Sequence, residues 1–197
     1  MRHLVLTAIA LFTFSINTMA EKGFDVQKEI TINVSAAELW EMVGPGFVDV
    51  YKWSSNVDHA EGAGNSDFDG AVCHERFCDV NVKGFSKISE ELTYYSIPEM
   101  KLAYAVKEGM PGFVTKAVNQ WTVVPIDDHS CKLVMKAEFR SKGLMGAMMN
   151  GMMEKKMKTT LETVLNDAKV YAETGEVSEA KRERMAELDK KKKKEAA

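Results

Sequence analysis

Strand-like alternation along this sequence turns a few polar side chains, Glu90, Tyr104, Asn119 and Trp121, toward faces that are otherwise apolar. In residues 84–92, Lys87 and Glu91 mark the outward positions, which sends Ser86, Ile88, Glu90 and Leu92 the other way. Lysines at both ends of 101–107 leave Leu102, Tyr104 and Val106 inside. Lys116 marks the outer face of 113–124, so Phe113, Thr115, Ala117, Asn119, Trp121 and Val123 face inward. In 131–140 the charged Lys132, Lys136, Glu138 and Arg140 share one parity, leaving Leu133, Met135, Ala137 and Phe139 on the other. A carboxylate on a dry face must be paired, hydrogen-bonded or protonated. Glu90 therefore reads in two ways. It orients a ligand's polar end or moves protons as a general acid/base, or it supports the fold by bonding Tyr104 or Arg76. The second is the commoner fate of a buried acid. Tyr104, Asn119 and the Trp121 indole are groups of the kind that fix a small molecule's orientation in an apolar pocket.

Six of the 13 methionines lie between Met145 and Met157, among Gly143, Gly146 and Gly151. Methionine is flexible and polarizable, suited to irregular apolar ligands, and glycines near a helix start loosen its backbone at a cost of ~1 kcal/mol each relative to alanine. Met149 and Met153, with Met135 from the last strand, are the expected apolar ligand contacts; ordinary core packing is an equal alternative for them. Copper binding fits poorly, because these side chains repeat along a helix instead of converging on a point. His74 lies near Cys73, Glu75 and Cys78, but alternation splits these residues between two faces, so one ion would reach at most two of them. No metal centre is expected. The sequence has no nucleophile elbow, glycine-rich phosphate loop or His-x-x-x-His helix, so no cofactor is expected either.

The elements that would hold these residues follow from periodicity. Residues 23–34 carry Val26, Ile30, Ile32 and Val34 on one parity, a first strand. Ser35 and Glu38 then have capping-box spacing, and Leu39, Trp40 and Val43 form the apolar face of a short helix stopped at Gly44-Pro45-Gly46. A second helical turn covers 47–51 and ends near Trp53. Strands are predicted over 56–61, 70–78, 84–92, 101–107, 113–124 and 131–140, with turns at 62–65 and 79–83 and a polar hairpin loop over 125–129. The period then changes. Apolar residues recur at three and four from Met145 to Ala172, a helix of roughly 40 Å at about 1.5 Å per residue, ending at Gly175 as C-cap.

Residues 1–20 read as a leader: Arg2, an apolar run over 4–16, and a small residue, Ala20, at the expected cleavage point. A buried N-terminal helix is the competing reading. With a leader, the protein is periplasmic or secreted, and the domain spans 21–175. Residues 176–197 form a charged helical or disordered tail in which Met185 and Leu188 offer too little apolar surface to dock firmly. Its run Lys190–Lys194 also suits a tether to an anionic membrane surface, a reading that ranks below a solvated tail. A net charge of −3 over 197 residues gives no footprint for nucleic acid. Three cysteines, Cys73, Cys78 and Cys131, allow at most one pair, and small buried strand residues is the better reading of them.

The order strand, two short helices, six strands and one long helix resembles the helix-grip fold of the START-like superfamily, within it the SRPBCC polyketide cyclase/dehydrase group. Ile32 to Val43 resembles its first strand and capped helix, and Tyr51, Trp53 and Val57 its second helix and second strand. Gly70-Ala71-Val72 is similar to the glycine-led third strand, Ser89 to Leu92 to the glutamate-bearing fourth, and Asn119-Gln120-Trp121 to the sixth. The resemblance implies an α+β fold in which a seven-stranded curved antiparallel sheet surrounds the long C-terminal helix, leaving a cavity between them. One departure matters. Where many bacterial members carry arginine after the Gly-x-Val, this chain has Cys73, so an inward Arg–Glu pair with Glu90 is not carried over unless Arg76 substitutes from a shifted register. The leading expectation is an exported binding protein whose partner is a small hydrophobic or amphipathic molecule. The alternatives are a cyclase/dehydratase-like lyase with Glu90 or Tyr104 as acid/base, and an accessory factor that engages a protein through its tail.

Overall fold

The computed structural model describes residues 21–82 and 84–195, so the expected leader over 1–20 lies outside the described residues. β1 (Lys22–Ile32) leads into α1 (Ala36–Val43), a 3₁₀ turn (Pro45–Phe47) and α2 (Val50–Trp53). A meander follows: β2 (Val57–Ala63), β3 (Glu75–Val82), β4 (Phe85–Ser96), β5 (Lys101–Glu108), β6 (Val114–Asp127) and β7 (Ser130–Ser141). The chain ends in α3 (Gly143–Thr174) and α4 (Glu179–Glu195). All seven strands form one curved sheet in the order β1-β7-β6-β5-β4-β3-β2, antiparallel throughout. α3 crosses the inward face, packing mainly on β1 and β7. It buries Leu161, Val164, Leu165 and Ala168 there, and Gly175 caps it in the left-handed conformation at φ 72°.

Local chemistry accounts for the ends of these elements. The Ser35 hydroxyl accepts from the Glu38 backbone N–H at 3.2 Å, while the Glu38 carboxylate accepts from the Ser35 N–H at 2.9 Å, so two orphan donors at the start of α1 are satisfied. Leu39, Trp40 and Val43 are buried beneath it.

Two strands lie elsewhere than alternation suggests. Residues 64–74 are an irregular loop in which Gly64 and Gly70 take positive φ, and β3 begins at Glu75 and runs to Val82, where the sequence suggested a turn. The hairpin is instead turned at Gly84, φ 104°, a conformation that favours glycine. β6 runs through Pro125, beside a slip in the ladder next to the turn. Two inward assignments are also overturned. Thr115 sits at the slip between Val114 and Lys116, is exposed, and bonds Glu21. Ser86 is exposed near the turn of the β3–β4 hairpin, although Ile88 on the same parity reaches the cavity.

The tail also differs from expectation. It docks, through polar groups and not apolar ones. The Asp167 carboxylate, 1% exposed on α3, accepts from the Ser55 N–H and hydroxyl at 2.7 Å each and from the Ser178 hydroxyl. The Lys181 ammonium is buried and donates to the Val57 carbonyl at 2.8 Å. Arg184 donates to both oxygens of Asp58 at 2.8 and 2.6 Å. Beyond Arg184, α4 is largely exposed.

Candidate functional site

Strand register gathers the inward polar residues. Arg76 pairs with Glu90 and Glu90 with Val106; Tyr104 pairs with Asn119 and Asn119 with Ala137; Trp121 pairs with Met135. With β3 running over Glu75–Val82, Arg76 stands opposite Glu90, and the substitution from a shifted register is realised. Arg76 Nε and Nη2 donate to Glu90 Oε2 at 2.8 and 2.6 Å, and Nη1 donates to the Phe47 carbonyl. The guanidinium lies 3.7 Å from the Phe47 ring centroid and 5.1 Å from that of Tyr104, a cation–π arrangement on two sides. Both charges are buried, at 2% and 5% exposure. Burial alone would drive the Arg76 charge off, but Glu90 overrides it and holds the guanidinium above its ordinary range.

This arrangement bears on acid/base chemistry. Of the two partners proposed for Glu90, it bonds Arg76. Its Oε2 is occupied by two charge-assisted bonds and a 3.6 Å contact from the Cys78 thiol. The Tyr104 phenol is pushed well above its ordinary value by burial and by the Glu90 charge, so it stays protonated. Burial likewise raises the Cys78 thiol to about 12. All three cysteines are buried and free, so the one pair the sequence allowed is absent. Iodoacetamide at about pH 8 is therefore expected to leave all three unmodified in the folded protein and to label all three in urea, read by intact mass. Labelling of the folded protein would contradict this burial.

Between sheet and helix lies a cavity of about 160 Å³. Tyr104, Ala117, Asn119, Trp121 and Met135 form its sheet side, with Arg76, Cys78 and Glu90 alongside. α3 contributes Met153, Met157, Leu161 and Val164, and the β3–β4 hairpin and the β5–β6 loop contribute Val82, Phe85 and Met110. Of the seven residues singled out as ligand contacts, six line this cavity: Glu90, Tyr104, Asn119, Trp121, Met135 and Met153. Met149 does not. The α3 lining begins at Met153, and Met149 lies one turn before it, beyond the end of the cavity. Arg76, Met157 and Met110 went unassigned as contacts; the first needed the true register of β3, and Met157 was already visible in the helical stripe. No group of three or more metal-ligating side chains occurs among the described residues. Two larger depressions, one between the β2–β4 strands' outer residues and the other beside Pro45 and Val72, open on solvent.

Residues 23–173 match the family described as polyketide cyclase / dehydrase and lipid transport. The chain belongs to this family. Comparison with curated protein sequences finds no match. Among solved structures, it is similar to the Zhui aromatase/cyclase from a Streptomyces species, at 15% identity and TM-score 0.61 over 81% of this chain and 100% of that one. It is also similar to norcoclaurine synthase from Thalictrum flavum in complex with dopamine and hydroxybenzaldehyde, at 18% identity, TM-score 0.58, and 88% and 98% coverage. A START superfamily protein from Mycobacterium smegmatis aligns at 18% identity and TM-score 0.54 over 73% and 98%. At these identities the likeness is one of fold: these structures share the curved antiparallel sheet and long C-terminal helix described above.

Proposed function

We propose that this protein binds a small, uncharged, ring-sized apolar or amphipathic molecule beneath α3, and that it does so after export. The observation that carries the reading is the cavity itself: about 160 Å³, walled mainly by apolar side chains, with its one ion pair compensated internally. Cavities of about 150 Å³ hold a benzene-sized molecule. An anion or cation entering here would gain little from Arg76 or Glu90, since each already neutralises the other, or from Lys156, which is also engaged, and would lose its hydration. Two of the polar lining groups are left open among the described residues: the Trp121 indole N–H is buried without a hydrogen-bond partner, and Asn119 is the other. Its side chain makes no hydrogen bond among the described residues and is only partly buried, so its amide is available to a carbonyl or hydroxyl. Larger ligands would require Met153, Met157 and Met110 to move, which unbranched thioethers do readily. Export rests on the leader-like composition of residues 1–20.

Catalysis of the cyclase or dehydratase type is the weaker reading, because its two candidate groups are engaged: one Glu90 oxygen by Arg76, and the Tyr104 proton by burial. Burying roughly 200 Å² of ligand at ~25 cal/mol per Å² gives about 5 kcal/mol, a Kd of about 0.2 mM, and ordering costs weaken this, so Kd values on the order of 1 mM are expected for single-ring compounds. Titration with a panel of neutral monocyclic aromatics should change Trp121 emission, because the indole lines the cavity. Ala117→Leu, which places three carbons in that space, is expected to weaken binding at least tenfold. If it binds every compound as the parent does, the cavity is not the site.

A further inference from the structure

We propose that the first turns of α3 form a docking surface for anionic lipid bilayers, independent of what the cavity holds. Leu144, Met145, Met148 and Met152 are 78%, 53%, 70% and 46% exposed, four of the ten large apolar side chains exposed among the described residues. At about 100° per residue they share roughly one 100° arc, and Met153, Met157, Leu161 and Val164 lie on the opposite side, facing the cavity. The helix therefore carries two apolar stripes at this end. Packing explains only one. Further along the same outer arc, Thr159, Glu162 and Asn166 restore the usual polar face, so the second stripe is confined to about 13 Å of helix.

Its surroundings are cationic. Lys142, the residue before the helix, provides no cap, and no acidic residue occupies the first turn, so unsatisfied backbone N–H groups and the positive end of the helix dipole accompany the apolar stripe. Lys142 and Lys155 are exposed and carry no ion pair among the described residues, whereas the chain as a whole has a net charge of −3. Apolar side chains flanked by cations suit the headgroup and acyl boundary of an anionic bilayer. A second copy suits it less: a two-fold contact would bring two positive helix ends together, and two turns of helix supply well under the ~800 Å² per partner of a stable interface. A partner helix would need a groove, and none of these four side chains lines any of the depressions described above.

The test uses the chain from Glu21 onward, because the apolar run in 1–20 would bind lipid by itself. Cosedimentation with phosphatidylglycerol/phosphatidylcholine vesicles is expected, with at least tenfold weaker partitioning to phosphatidylcholine alone. Leu144→Ser with Met148→Ser should lower partitioning at least tenfold, and Lys142→Glu with Lys155→Glu should remove the preference for anionic vesicles. Met148→Trp should shift its emission to the blue on mixing with vesicles. Absence of vesicle binding overturns the proposal. So does binding that survives the serine variant but disappears on charge reversal of Lys190 to Lys194, which assigns it to α4. Self-association or acidic-peptide binding that depends on the stripe, without vesicle binding, overturns it in favour of a protein partner.

Discussion

Glu90→Ala is expected to destabilise the fold by about 3–5 kcal/mol, because it strands the Arg76 guanidinium in the interior without a counter-charge. That is a large share of the roughly 5–15 kcal/mol that holds a domain of this kind together. The value follows from burial on both sides of the pair, 2% for Arg76 and 5% for Glu90, and from the absence of any other acid bonded to the guanidinium among the described residues. The Phe47 and Tyr104 rings and the Phe47 carbonyl remain, but they stabilise a cation far less than a carboxylate does. Removing both charges reverses the logic. Arg76→Met with Glu90→Leu fills the same space without ions and is expected to fall within about 1–2 kcal/mol of the parent, or to exceed it. Urea unfolding midpoints at constant slope read both variants. A double variant as unstable as Glu90→Ala would mean that the pair's geometry, not charge compensation, is what the site needs. Glu90→Gln keeps the shape and an acceptor oxygen, and separates a second issue. If Glu90 moves protons for a bound substrate, this variant loses turnover while ring-sized compounds still bind.

How the sequence encodes this site explains why parts of it were readable and parts were not. On β5, lysines at both ends mark the outer face, and on β7 four of the five outward positions over 132–140 are charged; every inward residue assigned there, from Leu102 and Tyr104 to Leu133, Met135, Ala137 and Phe139, is turned toward the core or the cavity. The Ser35/Glu38 capping box and the change of period at the start of α3 are equally local signals. β3 is different. Glycines at 62, 64 and 70 are spread across the approach to it, so composition alone does not say which of them turn the chain, and the residue opposite Glu90 depends on that choice. The slip that turns Thr115 outward depends on the neighbouring strand and leaves no trace in the strand's own alternation, and Ser86 is exposed because it lies near the hairpin turn. Met149 missed the cavity for a geometric reason: the lining on α3 begins one turn later, at Met153, and a list of methionines does not say where along the helix the cavity ends. The docking of α4 was invisible for a chemical one. Hydrophobic periodicity detects apolar burial, and this contact is built from Ser178, Lys181 and Arg184 meeting Asp167, Val57 and Asp58.

Deleting residues 176–197 is accordingly expected to cost about 3 kcal/mol, whereas deleting 190–197 should cost nothing measurable. The longer deletion takes the Ser178 hydroxyl from the buried Asp167 carboxylate, a bond to a charged group worth about 1.5–3 kcal/mol, together with the forked Arg184–Asp58 pair and the bond from Lys181 to the Val57 carbonyl. The shorter one removes only exposed lysines and Glu195 among the described residues. Lys181 adds a dependence on pH that an exposed tail would lack. Burial lowers its pKa below the ordinary lysine value, against the attraction of Asp58 and Asp167 and with the help of Arg184. The unfolded chain therefore binds more protons than the native one between the lowered value and about 10.5, and unfolding free energy rises with pH across that window. Below it, the cost of holding a buried ammonium is present in full. Lys181→Met removes the proton and keeps most of the apolar stem, so the difference in stability between parent and variant should shift toward the parent as the pH climbs through this range. A difference that stays flat from neutral pH to about 10.5 would mean that Lys181 sits in water, and α4 would then be a passenger on the domain and not part of it.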